Sequence, residues 1–346
     1  MKKMRIVVFG AGGFVGGWIC EELSQRTDIE VVACVRKWAS AVRLARRAID
    51  IRRLNLEDTH EMPAVLRGAH AVVNATMPPP SQERQLVTDL YLACVRESVS
   101  RFIQFSSAAV YGNRTGHVDE DTAPSPVDDY SRGKAEMETR LAEIAAGSST
   151  QLFILRPSIV YGPFSEAGTV RYVERIVKGR WRGLGQAGTG TCNLVHAHDV
   201  ARAAIAAATA PVIPGTHLLN INGPDVVSWN QYIERLGDAL GIPDRATPNA
   251  TLFRGMAAAA GIVRMGGRLA LVRSLYRRSA GSTRAAMKNA QGVTKLYPPS
   301  QELRVLRRKV HYAADRAAQV LGSSPSIPLE EGLLQSVAWC RVHGIL

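Results

Sequence analysis

Two side chains that can move a proton stand four residues apart in Tyr130-Ser-Arg-Gly-Lys134, a spacing that sets a phenol and an ammonium on one face of a helix. Upstream, Ser107 follows the apolar run Phe102–Ser106. A serine at the carboxyl end of a parallel strand lies where such sheets bind ligands. The three residues suit hydride transfer to or from a carbinol carbon, because the hydroxyl proton must move with the hydride. A free phenol, titrating at about 10, is too weak a base at neutral pH. A neighbouring ammonium, helped by a positively charged oxidised nicotinamide, favours the phenolate. In this reading Tyr130 moves the proton, Ser107 orients the substrate oxygen, and Lys134 tunes the phenol and bonds the nicotinamide ribose.

The loop Gly10-Ala-Gly-Gly13-Phe14-Val15-Gly16 supplies a place for such a cofactor, since it lies between an apolar strand and a helix. Its glycines let a pyrophosphate approach the backbone, and the amides at Phe14 and Val15 open a helix whose positive end faces the phosphates. The next strand ends in Cys34-Val35-Arg36-Lys37, with no acid to bond the adenosine ribose hydroxyls. Arg36 can pair bidentately with a 2′-phosphate and Lys37 can add charge, which favours NADP with NAD as the alternative. His196-Ala-His198-Asp199 lacks further ligands at metal spacing; it reads as a loop entering a helix with Asp199 as N-cap, and no metal is expected. Asp119-Glu120-Asp121 reads as a solvated loop, and Trp181 and Trp229 as packing residues.

Positioning these groups requires a parallel sheet. Arg5–Phe9, Glu30–Val35, Ala71–Ala75, Phe102–Ser106, Gln151–Arg156 and His217–Ile221 read as strands separated by helical patterns such as Gly13–Gln25. Continuous apolar strands spaced by helices imply an α/β fold, doubly wound, with the sheet covered on both faces. The nucleotide domain is expected at 1–162, with 191–223 returning to it. Residues 163–190 and 224–346 form a smaller, discontinuous and mainly helical substrate lobe.

The formal charge of +13 is concentrated. Between Thr251 and Tyr312 stand ten Arg and three Lys against one acid, Glu302. Within that segment Leu269–Arg278 is amphipathic at helical spacing. A basic 251–312 region suits an anionic small-molecule substrate, a membrane surface or an acidic partner; nucleic acid is not expected, because aromatic interleaving and binding motifs are absent. Five scattered cysteines form no metal or disulfide framework, so a reducing cytoplasm is the expected location. The apolar stretches Met1–Cys20 and Ala203–Pro224 are broken by Gly, Pro and Asn and read as soluble elements.

These residues resemble the extended short-chain dehydrogenase/reductases, the epimerase/dehydratase-like branch. The resemblance rests on Gly10-x-x-Gly13-x-x-Gly16, Phe105-Ser-Ser-Ala-Ala-Val-Tyr-Gly112, Tyr130-x-x-x-Lys134, Leu155-Arg-Pro-Ser-Ile-Val-Tyr-Gly-Pro163 and Leu194-Val-His-Ala-His-Asp-Val-Ala201. It implies a Rossmann sheet, a pyridine nucleotide and the Ser107, Tyr130 and Lys134 roles given above. It also implies Asn55 and Leu56 beside the adenine, Ala75 and Thr76 along the cofactor, and Pro157 and Ser158 near the carboxamide. Members often dimerise through two helices, one of which would contain Tyr130–Leu141. Dehydratases of the family carry acids after the catalytic Ser/Thr, where this chain has Ala108 and Ala109. Sugar-nucleotide enzymes often have an Asn at the position of Ile159, and an Arg where this chain has Thr191-Cys192-Asn193. The expectation is an NADP-preferring oxidoreductase interconverting a secondary alcohol and a ketone. The alternatives are a nucleotide-sugar 4-epimerase with tightly held NAD and, from another class, a non-catalytic dinucleotide sensor.

Overall fold

Runs apolar enough to be buried on both faces become the centre of one parallel sheet. The computed structural model describes residues 3–178, 183–211, 215–242, 255, 298 and 300–346. The chain opens with β1 (Met4–Phe9), α1 (Phe14–Leu23), β2 (Ile29–Val35), β3 (Asp50–Arg53), α2 (Met62–Leu66), β4 (Ala71–Asn74) and α3 (Pro80–Arg96). It continues through β5 (Arg101–Phe105), β6 (Gly116–Val118), α4 (Asp129–Ala145), β7 (Gln151–Pro157), β8 (Ile159–Tyr161), α5 (Arg171–Val177), β9 (Thr191–Cys192), β10 (Leu194–His196) and α6 (Ala197–Thr209). The remaining elements are β11 (Thr216–Ile221), β12 (Val227–Ser228), α7 (Trp229–Ala239), α8 (Ser300–Arg307), β13 (Val310–Tyr312), α9 (Asp315–Leu321) and α10 (Leu329–Val342). Two compact units result: residues 1–161, 193–225 and 311–328, and residues 162–192, 226–310 and 329–346.

The first unit holds seven parallel strands in the order β11-β7-β5-β4-β1-β2-β3. Alternation along β1 divides its side chains between two cores. Ile6 and Val8 pack with Ile19, Cys20 and Leu23 of α1 and the alanines of α6. Val7 and Phe9 pack with Leu90 and Tyr91 of α3 and Met137 and Leu141 of α4. This is the doubly wound Rossmann arrangement expected from the sequence. Strand β3 was not foreseen: Asp50-Ile-Arg-Arg is an edge strand, half exposed, and lacks the apolar run that marks its neighbours. The 311–328 stretch, expected in the helical lobe, belongs to this unit, where Ala317 and Leu321 of α9 join the core on the α1–α6 face.

Two local readings change. The N-cap of α6 is His196, whose ring accepts from the His198 amide at 3.3 Å, while Asp199 is buried and accepts from the Ile327 amide at 3.0 Å. Glu120 is not solvated; it is buried and accepts from the Asn220 amide at 2.8 Å, while Asp119 caps Thr122. All five cysteines are unpaired and buried. Burial raises each thiol, Cys34 to about 12 and Cys340 to about 11.

In the second unit, Ser228 and Gln231 cap α7 reciprocally, and Trp229, as expected, is a packing residue among Tyr172 and Tyr232. The Tyr232 hydroxyl donates to the Gly168 carbonyl at 2.6 Å, and a bidentate Arg175–Glu302 pair ties α5 to α8. The amphipathic 269–278 stretch, Trp181 and most of the basic 251–312 segment lie outside the described residues. Among the described residues no helix is long and apolar enough to cross a membrane.

Helices α1 and α6 are joined by His198 Nε2 and Glu22, 3.3 Å apart. The bond to Glu22 raises His198, and the bond to His198 lowers Glu22. The His198 contribution is therefore full below its ordinary 6.5 and is lost as pH rises through its folded value; that of Glu22 is present above 4.5 and lost as pH falls. Burial lowers neighbouring His196 to about 4, so its contribution is present above 6.5 and lost as pH falls towards 4. The two histidines thus act with opposite sign in adjacent windows, His198 above 6.5 and His196 below it. Replacing His198 by Ala should remove the stability that the pairing adds as pH falls from about 8 to 6.5, measured by urea unfolding across that range; an unchanged slope there would contradict the pairing.

Candidate functional site

The strand order reverses at β1, whose neighbours are β2 on one side and β4 on the other. A doubly wound sheet opens a crevice at such a switch point, beyond the carboxyl ends of its strands. Gly10 turns there with φ +75°, and a Cβ on it would lie 2.6 Å from the Ala75 carbonyl oxygen at the end of β4. A Cβ on Gly16 would overlap the Gly10 carbonyl oxygen, so the loop closes on the first turn of α1 only with bare backbone at both places. Gly13 is the N-cap of α1, with no side-chain cap and no acid in the first turn. The first intrahelical bond runs from Gly17 to Gly13, which leaves the Phe14, Val15 and Gly16 amides without an i−4 carbonyl.

The other positions expected along a dinucleotide line the same carboxyl edge. Arg36 and Lys37 are exposed just past β2, and the Cys34 carbonyl at that strand's end accepts from the Ala11 amide of the glycine-rich loop at 3.2 Å. Asn55 follows β3 and spends its side chain locally, donating to Glu57 and accepting from the amide of buried Leu56. The Ala75 amide donates to Phe9, and Thr76 bonds the Asn74 side chain. Pro157 ends β7; the next residue, Ser158, has a buried hydroxyl with no partner among the described residues. Bare backbone, uncapped helix amides and an orphaned hydroxyl along one edge fit a nicotinamide dinucleotide.

Ser107 lies past β5, where its Oγ accepts from the Ala109 amide at 3.1 Å and so keeps its proton to donate. Ala108 and Ala109 begin the short 3-10 turn that follows. Asp128 caps α4 in a reciprocal box with Ser131, which fixes the helix start at Asp129 and places Tyr130 in its first turn, about a third exposed. One turn on, the Lys134 ammonium lies 5.9 Å from the Tyr130 ring centroid and donates to the Phe105 carbonyl at 3.0 Å, two residues before Ser107. The structure thus brings Tyr130, Lys134 and the end of β5 together.

Two buried partners were not read from the sequence. Glu83, in the first turn of α3, accepts from Lys134 Nζ at 2.6 Å. Glu138, the next turn of α4, forms a bidentate pair with Arg156 of β7, whose remaining nitrogen donates to the Tyr111 hydroxyl at 2.8 Å. For Glu83 the sequence offers only an acid after Pro78-Pro-Pro80, a signal that any helix start carries. Among the described residues no cluster of His, Cys, Asp or Glu could hold a metal ion.

The family described as NAD dependent epimerase/dehydratase matches residues 6–221. A UDP-glucose 4-epimerase of Vibrio cholerae is 27% identical over 264 residues, covering 71% of this chain and 80% of that protein. Among solved structures, UDP-glucuronic acid 4-epimerase from Bacillus cereus in complex with NAD superposes with a TM-score of 0.72 at 19% identity, over 98% of this chain and 99% of the other. UDP-glucose 4-epimerase from Thermotoga maritima gives 0.71 at 21%, with 98% and 99% covered. The superpositions establish the fold. The chain belongs to the NAD dependent epimerase/dehydratase family. It is an enzyme of the extended short-chain dehydrogenase/reductase type.

The packing of the glycine-rich loop gives a direct test. Gly16→Ala should abolish nicotinamide dinucleotide binding, measured by fluorescence titration with NADH, because the new methyl group must displace the Gly10 carbonyl. Retained affinity in a folded variant would remove this loop from the site.

Proposed function

We propose that the protein is an NAD-dependent 4-epimerase of a nucleotide sugar, acting through Ser107, Tyr130 and Lys134. The sequence alone ranked a reductase first; the family match and the Vibrio cholerae relative favour the epimerase. The observation that carries the reading is a proton-transfer set limited to one phenol. Tyr130 and Lys134 share a helix face beside the end of β5, and the turn after Ser107 presents Ala108 and Ala109. Dehydration needs a second acid or base to eliminate water, whereas inversion at one carbinol needs the same proton removed and returned.

When bound, NAD supplies reversible hydride acceptance. The Tyr130 hydroxyl oxygen, as phenolate, takes the proton of the sugar's 4-hydroxyl and returns a proton to the 4-keto oxygen once the keto sugar has turned its other face to the hydride. Ser107 Oγ donates to that oxygen throughout, and Lys134 holds the nicotinamide ribose. Along the cofactor, Gly10, Gly13, Phe14, Val15 and Gly16 receive the pyrophosphate. Asn55 and Leu56 flank the adenine, Ala75 and Thr76 line the cofactor, and Pro157 and Ser158 meet the carboxamide. A cytoplasmic setting, where nucleotide sugars are handled, belongs to the same proposal.

A second reading, an NADP-dependent ketone reductase, is favoured by exposed Arg36 and Lys37 at a strand end without an acid. Two measurements separate them. Incubation with a panel of UDP-hexoses and UDP-hexuronic acids, followed by proton NMR, should yield 4-epimers without net NADH, and denaturation should release NAD. Tyr130→Phe should lower that turnover by about 100-fold or more while retaining NAD. No epimer across the panel, together with NADPH-dependent ketone reduction, would establish the reductase instead.

A further inference from the structure

An acid in the first turn of a helix is ordinarily explained by the helix dipole and stays in water. Glu83 does not. Its side chain is 1% exposed, and its carboxylate lies 2.6 Å from the Lys134 ammonium, itself 4% exposed. The approach is built into both helices: a Cβ on Gly133 would lie 3.1 Å from the Pro80 carbonyl oxygen, so the start of α3 rests on the one bare position of α4 beside Lys134.

A lysine ammonium has three N–H donors. Glu83 and the Phe105 carbonyl take two of them from two different elements, which fixes the direction of the third. Burial of such a pair costs the solvation of both ions, and apolar replacements are often at least as stable, so stability alone does not account for it. We propose that Glu83 is the positioning residue of Lys134. It is the counter-charge that holds the buried ammonium in place and aims its remaining N–H at the bound dinucleotide. The proposal rests on the dinucleotide role given to Lys134 above, and on no particular substrate. The groups facing that ammonium are Glu83 from α3, Tyr130 from its own helix and the Phe105 carbonyl from β5; Glu138, one turn further, is committed to Arg156.

Binding of NADH and NADPH, measured by fluorescence titration at neutral pH, tests it in Glu83→Gln, Lys134→Met and the double variant. Glu83→Gln should weaken binding about tenfold, because the ammonium loses the carboxylate that aims it. In the Lys134→Met background the same change should alter binding by less than about twofold. Unchanged binding in a folded Glu83→Gln protein, or an equal loss with Lys134 removed, would overturn the proposal. If Glu83→Gln fails to fold by circular dichroism, Glu83→Asp takes its place. It keeps the charge but shortens the reach, and should weaken binding several-fold; unchanged binding there would also overturn the proposal. Because no turnover is read, failure of the epimerase reading leaves this test intact.

Discussion

Parallel pairing carries the carboxyl ends of β1, β4, β5 and β7 to a single edge of the sheet, and the chemistry of the protein depends on that edge. At β1 the edge is opened by the reversal in strand order, and the bare backbone of Gly10 and Gly16 holds the opening narrow. At β5 it presents Ser107 and the Phe105 carbonyl that anchors Lys134. Had the strands run antiparallel, these residues would alternate between opposite ends of the sheet. The family fold and the placement of the proton-transfer residues are thus consequences of one pairing geometry.

Helix α4 then has to sit at a fixed height above this edge. Two buried ion pairs one turn apart do that: Lys134 to Glu83 on α3, and Glu138 to Arg156 on β7. Each charge would be expensive alone, and removing one partner of such a pair typically costs about 3–5 kcal/mol. The pairs therefore penalise any register of α4 that separates them, even though they add little net stability. Tyr130, a third exposed in the first turn, gains a defined position from a helix that is fixed below it.

The sheet was legible because central strands must be apolar on both faces, which writes short continuous runs into the sequence. That signal fails at the edge, where β3 reads Asp-Ile-Arg-Arg and only pairing with β2 identifies it. Ser107, Tyr130 and Lys134 were legible because their spacing and place in a strand or helix carry chemistry. Glu83 was not, because 51 positions separate it from Lys134 and only the packing of α3 on α4 brings them together. The capping of α6 was misread for a related reason: an Asp beside a helix start is a usual cap, but here its carboxylate is claimed by the distant amide of Ile327.

The cysteines carry a consequence of a different kind. Cys34 is the penultimate residue of the strand beside the glycine-rich loop, and burial leaves its thiol, like those of Cys20 and Cys94, almost wholly un-ionised at neutral pH. Thiolate is the reactive form, so these residues are inert while the sheet is closed. An alkylating reagent would then label them only when the structure opens around them. Its rate would record the frequency of those openings from the two core faces separately, with Cys20 reporting on the α1–α6 layer and Cys94 on the α3–α4 layer.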